Sequence, residues 1–201
     1  MLVSKALFFL HFKCCSYYLN SGTINNMSYS EYEHRHNFSI WAAARAAQRG
    51  LTSVKNLRDA LEQSDIEIFV NNPSSESTFK AQHKEWCKSI CKYLDKKGVQ
   101  NVSYGRAAKL VNVYLKGMLV LNDLSGDPAK FIHPPIDRIL LQNVAKIPTI
   151  GTEEKKKLQT TNWTQLQEDD YFQLIDILKD INGDRPFWQI EKYWTVTHSY
   201  D

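Results

Sequence analysis

Residues Val102–Val144 read VSYGRAAKLVNVYLKGMLVLNDLSGDPAKFIHPPIDRILLQNV. The run from Tyr104 to Leu121 carries apolar residues on nearly every side (Ala107, Leu110, Val111, Tyr114, Leu115, Met118), so it predicts a helix buried all round, the spine of the fold. Ser103 is placed to cap it. Gly105, Arg106 and Lys109 follow in its first turns, and an N-terminus with bare amides and two cations suits an anion. Asn122–Pro128 has loop chemistry. His133-Pro134-Pro135 then makes a stiff corner, because two successive prolines fix φ and supply no amide donor. A further helix is expected over Ile136–Val144, with Asp137 and Arg138 at its start and His133 tied to backbone at the corner.

Outward from this stretch the pattern stays helical. Phe38 to Arg49 is dense in alanine and ends at Gly50, a good residue to terminate a helix, while Arg45 and Arg49 share a face. His34, Arg35 and His36 precede it as a polar lead-in or an anion-binding cluster. Thr52 or Ser53 caps a second helix with Val54, Leu57, Ala60 and Leu61 inward, up to about Ser64. Ile66–Val70 reads as a helix end or extended connector, and Asn71–Ser75 as a loop. A helix over Thr78–Lys96 turns Phe79, Trp86, Ile90, Tyr93 and Leu94 inward. Lys80, Lys84, Lys88, Lys92 and Lys96 recur every four residues there, which winds them into one outward ridge. Pro148–Gly151 is a break, Glu153–Lys157 is charged and exposed, and a last helix runs over Thr164–Ile181. The aromatic tail with Phe187, Trp188, Tyr193 and Trp194 is expected to pack back on the body or to meet a protein partner.

The 201 residues are 43% hydrophobic, enough for one core, and the net charge is only +3. Charge is unevenly spread: between Lys80 and Lys116 nine basic residues face Glu85 and Asp95, whereas Glu168–Asp184 is acidic. A lysine ridge serves solubility or touches phosphate. The four cysteines form two close pairs, Cys14 with Cys15 and Cys87 with Cys91, which is not a disulfide framework and fits reduced thiols in a cytoplasm. His83, Cys87 and Cys91 share a helix face as metal ligands could, but no fourth ligand is evident, and neither a metal nor a cofactor is expected. The first 26 residues have a short apolar run broken by His11 and Lys13, without a cleavage site and too short to span a bilayer. They are taken as an extension ahead of Met27, leaving 27–201 as a single all-α domain. Walker, dinucleotide-binding, Gly-x-Ser-x-Gly and His-Glu-x-x-His motifs are absent.

The order of parts in Val102–Val144 resembles the helix-hairpin-helix DNA glycosylase superfamily. Asn101–Lys109 stands for the hairpin and helix start, and Ile136-Asp137-Arg138-Ile139 for the segment with the catalytic aspartate. The resemblance implies an all-α, orthogonal helical bundle that acts on DNA. Ser103, Tyr104, Gly105, Arg106, Lys109, Lys84 and Lys88 would hold the phosphates, Trp41 or Tyr104 would stack on an extruded base, and Asp137 would stabilise positive charge developing on the sugar. Ala107 stands where bifunctional members carry their Schiff-base lysine, which implies a monofunctional enzyme. Two alternatives stay open. Asp137 is equally suited to capping the helix after Pro135, and the chain as a whole could be a non-enzymatic helical interaction or scaffold protein.

Overall fold

The computed structural model of the chain describes residues 29–195, and among them every regular element is helical. The extension at 1–26, with Cys14 and Cys15, lies outside the described residues. In chain order the helices are α1 (Glu31–Ala47), α2 (Val54–Glu62), α3 (Ile66–Asn71), α4 (Glu76–Lys96), α5 (Tyr104–Leu115), α6 (Asp127–Phe131), α7 (Arg138–Val144), α8 (Thr152–Thr160) and α9 (Glu168–Asn182). A π-helical turn, Lys116–Val120, continues α5, and 3-10 turns occupy Trp163–Gln165 and Phe187–Tyr193. No helix among the described residues is long and apolar enough to cross a membrane.

Helix α5 is the spine. Leu110, Val111, Tyr114 and Leu115 are fully buried between α1 on one side and α4 on the other. Small residues let α1 approach closely: Ala43 and Ala44 are solvent-free, and a Cβ added at Gly117 would lie 2.2 Å from the Ser39 hydroxyl. Gly117 is therefore glycine because α1 leaves no room for a side chain.

Several elements differ from the sequence expectation for identifiable reasons. Helix α1 starts seven residues before Phe38, because Ser30 and Glu33 form a reciprocal capping box, with Glu33 N donating to Ser30 Oγ at 3.1 Å and Ser30 N to Glu33 Oε2 at 2.7 Å. His34, Arg35 and His36 thus lie on a helix rather than in a lead-in, and His36 Nδ1 meets the Tyr114 hydroxyl at 2.9 Å. Ile66–Asn71 is a short helix burying Ile66, Phe69 and Val70. Pro128 sits in the first turn of α6, where its missing donor costs nothing. Glu153–Lys157 forms most of α8, anchored by the single buried Leu158. The last helix begins at Glu168 because Trp163–Gln165 closes into a 3-10 turn first. The tail does fold back: Phe187 and Ile190 join the core.

A polar network crosses that core. Asn112 is fully buried on α5, and a carbonyl can only accept, so its amide nitrogen must face Pro134 O, at 3.0 Å. The same nitrogen donates to the Tyr171 hydroxyl at 2.9 Å, and Asn112 Oδ1 accepts from His83 Nε2 at 3.0 Å. His83 Nδ1 is then left to accept from the Tyr104 hydroxyl at 3.0 Å, and Tyr171 donates to His133 Nδ1 at 3.0 Å. His133 is consequently tied to a side chain on α9 and not to the backbone of its corner. The chain of bonds links α4, α5, α9 and the His133-Pro134-Pro135 corner, so it fixes where Asp137 begins.

Burial pushes His83 down from 6.5 to about 4, and pushes His133 well down too, with His83 adding to the effect. Below pH about 6.5 the unfolded chain binds protons that the folded chain refuses, so stability must fall as pH drops from about 6.5 towards 4. His83 alone accounts for a loss of about 3 kcal/mol across that window. Urea unfolding at pH 7.5, 6, 5 and 4.5 should show this decline, and His83→Gln should make it shallower, with His133 supplying what remains. A curve unaffected by the substitution would contradict the neutral, buried imidazole.

Candidate functional site

Asp137 ends the corner as the N-cap of α7, its Oδ1 accepting from Leu140 N at 3.0 Å. The capping role is therefore real. The other oxygen does something else: Oδ2 receives Lys109 Nζ at 3.3 Å and Trp194 Nε1 at 2.9 Å. Lys109 comes from the second turn of α5, lies 4.4 Å over the Trp163 ring, and has a side chain only 11% exposed, against 13% for Asp137. Burial lowers the Lys109 ammonium below its ordinary range, and Asp137 only partly opposes this.

Both residues line a hollow of about 350 Å³ between α1, α5 with its π turn, and the C-terminal segment. That volume suits a small-molecule site. Its walls are mainly apolar, from Phe38, Ala42, Val113, Leu121, Pro135 and Trp194. Along α5 and into its π turn, Lys109, Val113 and Lys116 fall at successive spacings of four and three, which puts them on one face. Lys116 pairs with Glu191 of the terminal 3-10 turn, whose carboxyl burial raises and Lys116 opposes. Ser39 also lines the hollow, and its buried hydroxyl has no hydrogen-bond partner among the described residues.

The other residues expected at a DNA site are placed differently. Gly105 packs on the Trp163–Gln165 turn so tightly that a Cβ would lie 2.0 Å from Trp163 O, and its amide donates to Leu166 O at 3.0 Å. That amide is already used and does not offer itself to phosphate. Ser103 Oγ caps Arg106 N at 3.2 Å and donates to Thr164 O at 2.8 Å. Arg106 Nη1 donates to Arg49 O at 3.1 Å. Tyr104 is buried in the network and does not present its ring to a ligand. On the lysine ridge, Lys84 and Lys88 share Glu168, at 2.7 and 3.2 Å, and Lys84 lies 5.0 Å over Phe172. The hydrogen bond from Lys84 holds the Glu168 carboxyl below its usual range. The acidic end of α9 thus answers the basic middle of the chain. Trp41 is 54% exposed and borders a separate shallow recess with Tyr29, His34 and Arg58, joined to the hollow only through Phe38.

At the face considered for a metal, both ring nitrogens of His83 are spent on Tyr104 and Asn112. Burial pushes the Cys87 and Cys91 thiols up, Cys91 to about 11, and keeps them protonated. Among the described residues no group of three or more His, Cys, Asp or Glu side chains is arranged to hold a metal ion.

Sequence reasoning placed Lys109 and Asp137 but missed Lys116, Glu191, Trp194 and Ser39. Lys116 had a usable signal, its spacing of seven from Lys109. The others reach the hollow only through tertiary folding. Comparison with known proteins finds no family model, no curated protein and no solved structure that matches this chain.

Proposed function

We propose that the chain is a base-excision DNA glycosylase of the helix-hairpin-helix kind, and that Lys109 and Asp137 work as a pair. The reading is carried by one observation: a buried lysine of lowered basicity stands 3.3 Å from a carboxylate on a hollow with room for a base. A lysine in such surroundings spends more of its time as the neutral amine, the form that attacks carbon. The amine lone pair forms the new bond to sugar C1′ while the glycosidic bond breaks, and the base leaves with that bonding pair and then takes up a proton. Asp137 stays ionised through this step and offsets the positive charge growing on the sugar. Once the bond has formed, the nitrogen carries the positive charge and sheds its proton to Asp137.

This changes one expectation from the sequence. Ala107 argued against a Schiff-base lysine because positions were matched along the chain, yet Lys109 reaches the aspartate in space. The phosphate hold expected of Gly105, Lys84 and Lys88 does not support the reading, since those groups are engaged within the protein. The same internal pairing favours a second reading, a helical interaction protein whose exposed Phe38, Trp41 and Leu121 meet a partner.

Asp137→Asn separates the two readings. Asparagine still caps α7, but it removes the charge that faces Lys109, so stability should fall by about 3 kcal/mol and release is compared where both proteins are folded. Base release from duplexes carrying damaged bases should fall at least about 100-fold. Unchanged release would remove Asp137 from the chemistry, and no release by the unmodified protein from any lesion would favour the interaction protein.

A further inference from the structure

Beside Lys109 and Asp137 the hollow carries chemistry that the reacting pair does not use. Lys116 and Glu191 lie side by side there, 29% and 15% exposed, and Ser39 adjoins them across Gly117. Their ion pair uses one ammonium proton and Glu191 Oε2. Two ammonium donors and Oε1 have no other partner among the described residues. Ser39 adds a hydroxyl that both donates and accepts and is itself unpaired.

An anion on the free Lys116 donors would face Glu191 and a cation on Oε1 would face Lys116, so either meets a like charge in a half-buried site. A neutral ring carrying an acceptor beside a donor meets neither repulsion. Its carbonyl would accept a hydrogen bond from Lys116 while its N–H donates one to Glu191 Oε1, with the ring against Val113, Phe38 and Leu121. A purely apolar ring would instead displace water from the Lys116 donors and Glu191 Oε1 and leave them unpaired. Seven residues of α5 separate Lys116 from Lys109, about 10 Å of helix rise that two long side chains shorten.

We infer that Lys116, Glu191 and Ser39 form a recognition end for a neutral heterocycle with adjacent hydrogen-bond acceptor and donor, the edge that nucleobases present. The inference rests on the glycosylase reading for its biological meaning but not for its test, which needs binding alone. Isothermal titration of the full chain with 9-methylhypoxanthine and with 1,9-dimethylhypoxanthine, which has no N–H donor left, reads the edge directly. The 9-methyl compound should bind at least about tenfold more tightly than the dimethyl one, since a site built to bond an N–H rejects the analogue lacking it. The double variant Lys116→Met with Glu191→Leu leaves no unpaired charge and should keep its fold while losing the preference. Equal binding of the two compounds, no binding of either, or a preference that survives the double variant overturns the inference. Preferential binding without base release would overturn the glycosylase reading only, whereas base release without the preference would overturn the recognition end only.

Discussion

Asn112→Leu is expected to lower the free energy of unfolding by about 4 kcal/mol, among the largest effects of any single change in this protein. Leucine is close in size, so no cavity explains the loss. What remains is the loss of three bonds in a solvent-free core: the Pro134 carbonyl loses its donor, and the His83 Nε2–H and the Tyr171 hydroxyl are left with only each other, at 3.5 Å. Each buried orphan costs about 1–3 kcal/mol. Urea unfolding at pH 7.5 measures the sum. On the glycosylase proposal Asn112→Leu should also blunt base release, because Pro134 precedes the corner from which Asp137 is aimed. A loss of stability under about 1 kcal/mol would mean that water or a shifted side chain satisfies the network.

The helical fold was largely legible, and for a definite reason. The apolar residues of α4 and α5 recur at helical spacing, and Ser53, Ser103 and Asp137 stand where caps belong and do cap. The capping box at Ser30 and Glu33 is equally legible, a serine followed three residues later by glutamate, although the alanine-rich run beyond Phe38 carries the denser helix signal. Boundaries at α3, α6 and α8 were not legible. These helices are short, and α8 is held by tertiary burial of Leu158 more than by any pattern of its own. The π turn at Lys116–Val120 leaves no trace in periodicity, because one extra residue in a uniformly apolar run shifts nothing that can be seen.

The site divides in the same way. Asp137 stood out through the double proline ahead of it, and Lys109 through its place in the spine. The roles expected of the other residues rested on position along the chain, and tertiary folding gives those residues partners within the protein. Gly105 resembled a phosphate-binding glycine, but its lack of a side chain serves the close approach of Trp163. Lys84 and Lys88 resembled a DNA-facing ridge until α9 brought Glu168 onto them. Glu191 and Trp194 are separated in sequence by 75 residues from Lys116 and by 57 from Asp137, and no local pattern connects residues so far apart.

The second large effect concerns Lys109. If its amine is the nucleophile, it condenses with the aldehyde of an abasic site, losing water and leaving an imine that borohydride reduces to a stable secondary amine. Lys109→Arg keeps a cation beside Asp137, so the buried carboxylate is not left unpaired, yet a guanidinium does not form that imine. The most direct measurement is therefore borohydride trapping on a duplex with a single abasic site, comparing the unaltered chain with Lys109→Arg at matched thermal stability. A covalent protein–DNA species that forms with Lys109 and disappears with arginine is the predicted result. Absence of the species, or its undiminished formation by the arginine variant, would contradict a working pair at Lys109 and Asp137.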